Sequence, residues 1–478
     1  MLACEISEKC KLPVMVRSVT RLSHMRGDVE LGVLPRKRRK PSLNKKVTYT
    51  SFMAYEHHVI LHQRLRSIVD EVEKNPLNKL EIGDNIKIGL VCSGVGYNYA
   101  KEAIKKLNVE KEVAVLKVGV INPLPKNLLG NFIKLNETIL VIEEGSPYLE
   151  ENLRNLCYEN EVKPKILGKL TGDLPSEGEL NIDVVIQTLA RLLNMEMKSF
   201  EPLTISPPQI PQRTLALCAG CPHLATWYAI RQAIREETKK PPRESSIICG
   251  DIGCYGLGQF SPYNVFNTHM CMGASIGLAD GFSRINPEEI VIAYLGESTF
   301  FHAGIPPLLN AVYNGSNPIV IVQDNLSTAM TGHQPNPGTG ITAMGKPTKR
   351  IFVEDFGKAC QIPYVKVVDP YKVNETIKVI REAIRRKTPA LIVARRACAI
   401  LARQQARSRG IKIVPPIVDE EKCTGCRYCI TQLSCPALIW NNEEKKVNID
   451  PVFCTGCGVC TQICPQKAIQ GGEGIDQL

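Results

Sequence analysis

Nineteen cysteines are spread over 478 residues, and eight of them fall between positions 423 and 464. CTGCRYCITQLSCP supplies Cys423, Cys426, Cys429 and Cys435; CTGCGVCTQICP supplies Cys454, Cys457, Cys460 and Cys464. The second run has the spacing C-x2-C-x2-C-x3-C-P that holds [4Fe–4S] clusters, since two-residue gaps let one tight loop present successive thiolates to different irons. In paired runs of this kind the fourth cysteine ligates the other cluster. The expected sets are Cys423, Cys426 and Cys429 with Cys464, and Cys454, Cys457 and Cys460 with Cys435. The first run departs from the pattern, with five residues rather than three before Cys435. That bears on loop shape and potential more than on ligation, because its Cys-Pro end is intact. Zinc is the alternative for the same thiolates, but the doubled spacing with two Cys-Pro ends follows the iron–sulfur rule rather than usual zinc spacings. The chemistry implied is transfer of one electron at a time.

A second pattern lies upstream. GESTFFHAGIPPLLNAVYNGSNPIVIVQDN runs from Gly296 to Asn325. An acid on the turn after one strand and an amide after the next would face each other across a bound anion. Gly296 would let the backbone come close, and the following helix would aim its N-terminal amides at that anion. The pattern resembles the thiamine-diphosphate motif, a Gly-Asp-Gly-like turn followed nearly thirty residues later by Asn. A diphosphate needs a divalent cation to offset its charge, and Mg2+ takes octahedral oxygen ligands from one or two protein groups and the phosphates. The resemblance implies three ligands: Glu297, the Asn325 side chain and the Ser327 backbone carbonyl, with Gly296 and Ser298 beside them. Glu297 stands where the motif has Asp, and its extra methylene would shift the metal or make the carboxylate act through water. The plain alternative is a strand–turn–helix with a polar loop.

The elements that must position these groups follow from the hydrophobic pattern. Length suggests about three domains, and an apolar fraction of 44% lets each bury a core. Residues 1–55 hold one apolar run, LPVMVRSV (12–19), which reads as a strand with nothing before it to pair with, and then a polar, basic stretch. Over 78–200, strands IKIGLVCSG, EVAVLKVG and ETILVIEEG alternate with helical patterns such as YAKEAIKKL. SPPQIP (206–211) marks a boundary. Over 212–405 the alternation resumes with SIICGDIG, VIAYLGES, PIVIVQDN, YVKVVDP and PALIVARRA, separated by helices such as ATWYAIRQAIREE and GIPPLLNAVYN. Strand–helix alternation implies parallel sheets, whose ligands sit at the carboxyl ends of the strands. The expected fold is α/β multidomain: two parallel-sheet α/β domains, then a small α+β domain over 417–472 that carries the paired cysteine runs. The formal charge of +11 is concentrated partly in RKRRK (36–40) with Lys45 and Lys46. This is read first as a solvated loop, and second as a docking patch for an acidic partner; without interleaved aromatics it does not point to nucleic acid. No apolar run approaches the ~18 residues of a membrane helix, and the N-terminus has no signal-peptide h-region. The expected location is cytoplasmic, where thiols stay reduced and so many cysteines hold metal.

CAGCPH (218–223), GDIGCYGLG (250–258), MCMGASIGLADGF (270–282), GESTFFHAG and DNLSTAMTGHQPNPG (324–338) occur in this order, ahead of the cysteine tail. Together they closely resemble the alpha subunits of indolepyruvate ferredoxin oxidoreductase, of the 2-oxoacid:ferredoxin oxidoreductase family. The resemblance spans essentially the whole chain and is strongest over 212–345 and 417–470. It implies a transketolase C-terminal-like domain at 78–200, a thiamine-diphosphate-binding domain at 212–405 and a bacterial-ferredoxin-like domain at 417–472. It further implies CoA-dependent oxidative decarboxylation of an aryl-2-oxoacid with reduction of ferredoxin, and places Gly250, Asp251 and Gly253 on the loop lining the cofactor pocket. Related pyruvate-type enzymes hold a further [4Fe–4S] cluster near thiamine, and Cys218, Cys221, Cys254 and Cys398 fit that order of ligands; the alternative is four buried or loop thiols. His223, His302 and His333 are open between structural and substrate-facing roles.

The family's alpha subunit begins with a pyrimidine-binding domain carrying the Glu that activates the thiamine ring. Here LPVMVRSVTRLSH resembles the end of that domain, so 1–55 is expected to be its remnant and linker. The expectation is a chain that binds the diphosphate end of the cofactor. A separate polypeptide would then supply the pyrimidine-binding part, unless the gene model is truncated, and the family's small beta subunit would be needed as well. Two rivals remain at this stage: an electron-transfer or scaffold subunit with a vestigial thiamine site, suggested by Glu297, and a non-oxidative thiamine-dependent decarboxylase, which would have no use for the cysteine tail. The catalytic residues are not identifiable from the residues alone.

Overall fold

Runs of β-branched and aliphatic residues bounded by Gly, Asn and Asp become the strands of two separate sheets. The computed structural model describes residues 2–32, 53–195 and 215–477, in two compact units that divide at Ser206 and Pro207. RKRRK, Lys45, Lys46 and SPPQIP lie outside the described residues.

The first unit carries a five-stranded sheet of β1 (Lys79–Ile82), β2 (Ile88–Ser93), β3 (Val113–Val118), β4 (Thr138–Ile142) and β5 (Lys165–Leu167), in the order β1-β3-β2-β4-β5. Four strands are parallel, and β1 is an antiparallel edge on β3. Side chains alternate between faces. Leu90, Leu140 and Ile142 pack with helices Val95–Leu107 and Ile182–Leu192; Val91, Ile139 and Val141 pack with Lys126–Lys134 and Tyr148–Glu159. The strand expected at LPVMVRSV does not form. Pro13 has no N–H to donate to a ladder, Met15 and Val16 are exposed, and Arg17 instead donates to the Glu144 carbonyl (3.2 Å). The neighbouring residues form short helices at Leu2–Cys10 and Thr20–His24, and part of the expected polar stretch is the helix Ala54–Ser67.

The second unit is built on a six-stranded, fully parallel sheet of β6 (Ser246–Gly250), β7 (Thr268–His269), β8 (Ile290–Gly296), β9 (Ile319–Asp324), β10 (Tyr364–Val368) and β11 (Ala390–Arg395). Its order is β10-β11-β9-β8-β6-β7. Strands β8 and β9 are buried along almost their whole length, as strands covered on both faces are. The register pairs Gly250 with Tyr294, Gly296 with Gln323 and Asp324 with Arg395. The residues that follow β6, β8, β9 and β11 therefore emerge side by side at one edge of the sheet.

The cysteine tail has two short antiparallel pairs, β12 (Ile417–Val418) with β15 (Ile469–Gln470) and β13 (Leu438–Asn441) with β14 (Lys446–Ile449). Helices Tyr428–Leu433 and Val459–Ile463 follow the two cysteine loops. The two extra residues of the first run are taken up by a helix one residue longer and by Ser434 in the left-handed region, φ +57°. The tail shares one continuous apolar core with the sheet. Its first helix lies on Pro222–Thr238: the Tyr228 and Tyr428 hydroxyls are 3.2 Å apart, and Gln232 donates to Tyr428 at 2.7 Å. Among the described residues no helix is long and apolar enough to cross a membrane.

Candidate functional site

Glu297 is the first residue after β8 and begins a helix that passes through one π turn, Phe300–Gly304, before Ile305–Tyr313. Pro306 and Pro307 have no N–H, so the carbonyls one turn earlier lose their α-helical donors and the turn widens. The Glu297 carboxylate is almost fully buried. It accepts hydrogen bonds from the Ser327 N–H (2.8 Å), the Asn336 side chain (3.0 Å) and, at a long 3.3 Å, the Asn325 N–H. Burial pushes its pKa up to about 7, the nearby Asp324 charge adds to the rise, and the hydrogen bonds oppose it.

The side chain of Asn325 carries the cation argument. One end of its amide lies 3.3 Å from Glu297 Oε1 and 2.6 Å from the Ser327 carbonyl, so with the amide oxygen at that end three oxygens converge as a cation would require. Turning the amide over would make its nitrogen donate to both; amide orientation is set by whichever partners satisfy it. An oxygen-only cluster beside a buried carboxylate is the donor set a hard divalent cation takes. The Ser327 hydroxyl is also buried without a partner. Ser298 is buried and accepts from Thr328 (2.8 Å). The residues fit Mg2+ on a diphosphate, with Glu297, Asn325 and Ser327 brought together as the motif implies.

The glycine loop is held in place by packing and by a buried carboxylate. A Cβ on Gly253 would lie 2.3 Å from the Tyr255 ring and one on Gly296 3.0 Å from it. Both glycines thus admit an aromatic ring onto the strand ends. Asp251 is wholly buried and accepts from the Tyr255 hydroxyl (2.5 Å), the Ser275 hydroxyl (2.7 Å) and the Gly273 N–H (3.1 Å). Its carboxylate therefore caps helix Ala274–Ile285 and ties it to β6. Gly250 is pressed against Phe266. Asn336 and the Asp324–Arg395 ion pair (2.6 Å) were not singled out from sequence; Asn336 lies in the HQPNPG stretch quoted above, the one signal that pointed to it.

Cys218, Cys221, Cys254 and Cys398 form one group, each thiol close enough to feel the charge of others in the set. The Cys398 N–H donates to the Asn325 carbonyl at 2.9 Å, which joins this group to the oxygen cluster. His333 Nε2 is 3.5 Å from the Cys398 sulfur. His223 is buried, its Nδ1 2.9 Å from the Tyr294 hydroxyl, and burial lowers its pKa to about 3. His302 is exposed.

In the tail, Cys423, Cys426, Cys429 and Cys464 line a single cavity with Trp440. Cys435, Cys454, Cys457 and Cys460 form the other group. The crossing of the fourth cysteines follows from the near-symmetric fold, which turns each Cys-Pro end toward the opposite loop. Burial raises the Cys429 thiol to about 11 and Cys457 to about 12, and the neighbouring thiols add to both. Thiolates gathered so closely need positive charge among them, which the irons of a cluster supply.

A parallel sheet that gathers an oxygen cluster at its strand ends, continuous with paired cysteine loops, defines a thiamine-diphosphate and iron–sulfur oxidoreductase component. The comparisons agree. Residues 78–189 match the indolepyruvate ferredoxin oxidoreductase middle domain, 251–394 the C-terminal TPP-binding domain of thiamine pyrophosphate enzymes, and 415–472 the 4Fe-4S dicluster domain. The indolepyruvate oxidoreductase subunits IorA of Pyrococcus horikoshii and Archaeoglobus fulgidus are 38% and 37% identical to the chain, each match covering 98% of this chain and 74% of the relative. The chain belongs to the family of indolepyruvate oxidoreductase IorA subunits. A 2-oxoglutarate:ferredoxin oxidoreductase from Magnetococcus marinus covers 40% of this chain and 66% of its own at 18% identity and a TM-score of 0.36, a superposition too loose to bear on the fold.

Proposed function

We propose that this chain is the cofactor- and cluster-bearing component of a CoA-dependent oxidative decarboxylase of aryl-2-oxoacids that reduces ferredoxin. In this reading Glu297, the Asn325 side chain and the Ser327 carbonyl hold Mg2+ on the diphosphate. Cys423, Cys426, Cys429 and Cys464 hold one [4Fe–4S] cluster, and Cys454, Cys457, Cys460 and Cys435 a second. Cys218, Cys221, Cys254 and Cys398 hold a third beside the thiamine site. When bound, thiamine diphosphate supplies the nucleophilic carbon for decarboxylation and the clusters supply one-electron carriers. The chain's own residues anchor the diphosphate, keep the carboxylate dry and carry the cysteine loops. Partners in this reading are a beta subunit and ferredoxin; the compartment is the cytoplasm.

The observation that carries the reading is the bond from the Cys398 N–H to the Asn325 carbonyl (2.9 Å). One residue faces the oxygen cluster with its side chain and holds a cysteine loop with its backbone, so the site of decarboxylation and the first electron acceptor are built as neighbours. A decarboxylase without electron export has no use for that arrangement. The test is anaerobic purification of the protein together with the products of its genomic neighbours, followed by CoA-dependent viologen reduction with indolepyruvate, phenylpyruvate and pyruvate. Turnover fastest with the aryl substrates is expected. CO2 release without dye reduction, or intact clusters without turnover of any 2-oxoacid, would overturn the proposal.

A further inference from the structure

Between the cysteine group at the sheet edge and the tail there is one narrow seam, and its residues are not ligands. Gly220 lies between Cys218 and Cys221 with φ +70°, a conformation glycine adopts at little cost. A Cβ there would lie 2.1 Å from Thr455 Oγ1, and Thr455 sits between Cys454 and Gly456 in the tail. The Thr455 hydroxyl is buried and lies beside the Cys457 sulfur, whose thiol pKa it lowers. On its amide side, the Gly220 N–H faces the Cys435 sulfur closely enough to lower that thiol's pKa against the rise that burial causes. On its carbonyl side it accepts the Tyr371 hydroxyl at 2.5 Å.

Tyr371 is fixed from three directions. It is buried, Arg396 stacks on its ring at 4.5 Å, and its own carbonyl accepts from Gln462 (2.7 Å), on the helix that carries Cys460. Gln462 also accepts from the Val373 N–H at 3.1 Å. The phenol is near enough to the Cys221 and Cys457 thiols to feel the charge of both. Ile475, fully buried, closes the seam: its N–H donates to the Thr455 carbonyl (3.1 Å) and its own carbonyl accepts from Arg396.

We propose that Tyr371 is a positioning residue that clamps Gly220 so that its N–H is held on the Cys435 sulfur, and that this contact sets the reduction potential of the cluster ligated by Cys435, Cys454, Cys457 and Cys460. Hydrogen bonds to cluster sulfurs are one of the protein's means of setting potential, and donation to a thiolate favours the reduced, more negative state. Electrons leaving the thiamine side then meet the tail at Gly220, so the seam matches the donor loop to its acceptor. The inference rests on the cluster assignment proposed above.

The test is an anaerobic, EPR-monitored redox titration of the whole cluster-loaded chain. Tyr371→Phe keeps the ring and removes only the hydroxyl. At a fixed poise it should lower the reduced-to-oxidised ratio of one cluster about tenfold, which is about 59 mV for one electron, with the other signals and the iron content unchanged. Gly220→Ala should displace the same cluster, and adding Thr455→Ala should bring it toward the potential of Thr455→Ala alone by removing the clash; these variants decide the matter if Tyr371→Phe fails to load iron. Wild-type clusters with unmoved potentials in all these variants would overturn the seam alone. A wild-type chain with no cluster signal would remove the proposed function and the seam with it.

Discussion

Glu297 gives the sharpest prediction, because its buried charge is harmful to the metal-free protein and, under the proposed ligation, necessary to the loaded one. A rise in its pKa from 4.5 to about 7 corresponds to about 3 kcal/mol at about 1.4 kcal/mol per pH unit. With the folded value above the unfolded one, this stability is fully present below about pH 4.5 and is lost as pH rises through 7. Between pH 6 and 8 the metal-free wild type should therefore lose about 1 kcal/mol of what remains. Glu297→Gln removes the charge and keeps an acceptor for the Ser327 and Asn336 donors, giving up the long bond from Asn325, about 1 kcal/mol. In EDTA at pH 8 the variant should exceed wild type by about 2 kcal/mol, at pH 6 by about 1 kcal/mol, and near pH 5 the two should nearly meet. Adding Mg2+ with thiamine diphosphate should reverse the order, since binding stabilises only the competent protein, by about 2.7 kcal/mol at a hundredfold excess over Kd. Several domains make a global midpoint ambiguous. Hydrogen exchange protection of the Asn325 and Ser327 amides, which donate to this carboxylate, reads the effect locally. If Glu297→Gln protects these amides no better than wild type in EDTA at pH 8, or if Mg2+ protects both proteins equally, the cation site is misassigned.

The crossed ligation of the tail predicts unequal double variants. Cys464→Ser with Cys423→Ser should cost one cluster, whereas Cys464→Ser with Cys457→Ser should cost both; the opposite pattern in iron and sulfide analysis would refute the crossing. Asn336→Ala should weaken Mg2+-dependent thiamine diphosphate binding about tenfold by freeing the ligand carboxylate, seen by calorimetric titration, while the cluster absorbance stays unchanged. Arg395→Ala should destabilise by about 2–4 kcal/mol, because it leaves the Asp324 carboxylate buried with only the longer contacts from Arg350 and the Leu326 N–H, both 3.3 Å. Arg395→Lys should recover less than half of that loss, since one ammonium cannot span Asp324 and Glu354 as the guanidinium does. A chemical-denaturation change within about 0.5 kcal/mol for Arg395→Ala would show that the pair is not needed to hold the end of β9.

What could be read from sequence was what local spacing or a buried run determines. VIAYLG and PIVIVQD announce strands because every position is apolar or packed, and Glu297 and Asn325 follow directly from where those runs stop. The cysteine runs are legible because a cluster is held by one short loop and one distant residue with its own Cys-Pro mark. The antiparallel edge β1 was missed: KLEI is four residues long, half charged, and a strand only because β3 offers it an open edge. LPVMVRSV failed in the opposite sense, a strand-like composition that pairs with no strand, with Pro13 unable to donate and Met15 and Val16 left exposed. Asn336 and Tyr371 were illegible for a third reason. Their roles are made by contacts across 39 residues to Glu297 and 151 residues to Gly220, and nothing in the flanking sequence encodes the partner.

Asn325 shows why the two halves of the chemistry are difficult to separate in this fold. Its side chain belongs to the oxygen cluster and its carbonyl holds the amide of Cys398, while the preceding Asp324 carbonyl holds the amide of Arg396 (3.0 Å). Arg396 stacks on Tyr371, and Tyr371 clamps Gly220 against the tail. These contacts run along adjacent parallel strand ends, where a shift of one loop cannot be absorbed without moving the next, because packed interiors deform little. A tail joined only by a flexible linker would leave the distance between donor and acceptor cysteine loops to diffusion. Merged into one apolar core and fastened at Gly220, it keeps that distance fixed whichever substrate is bound.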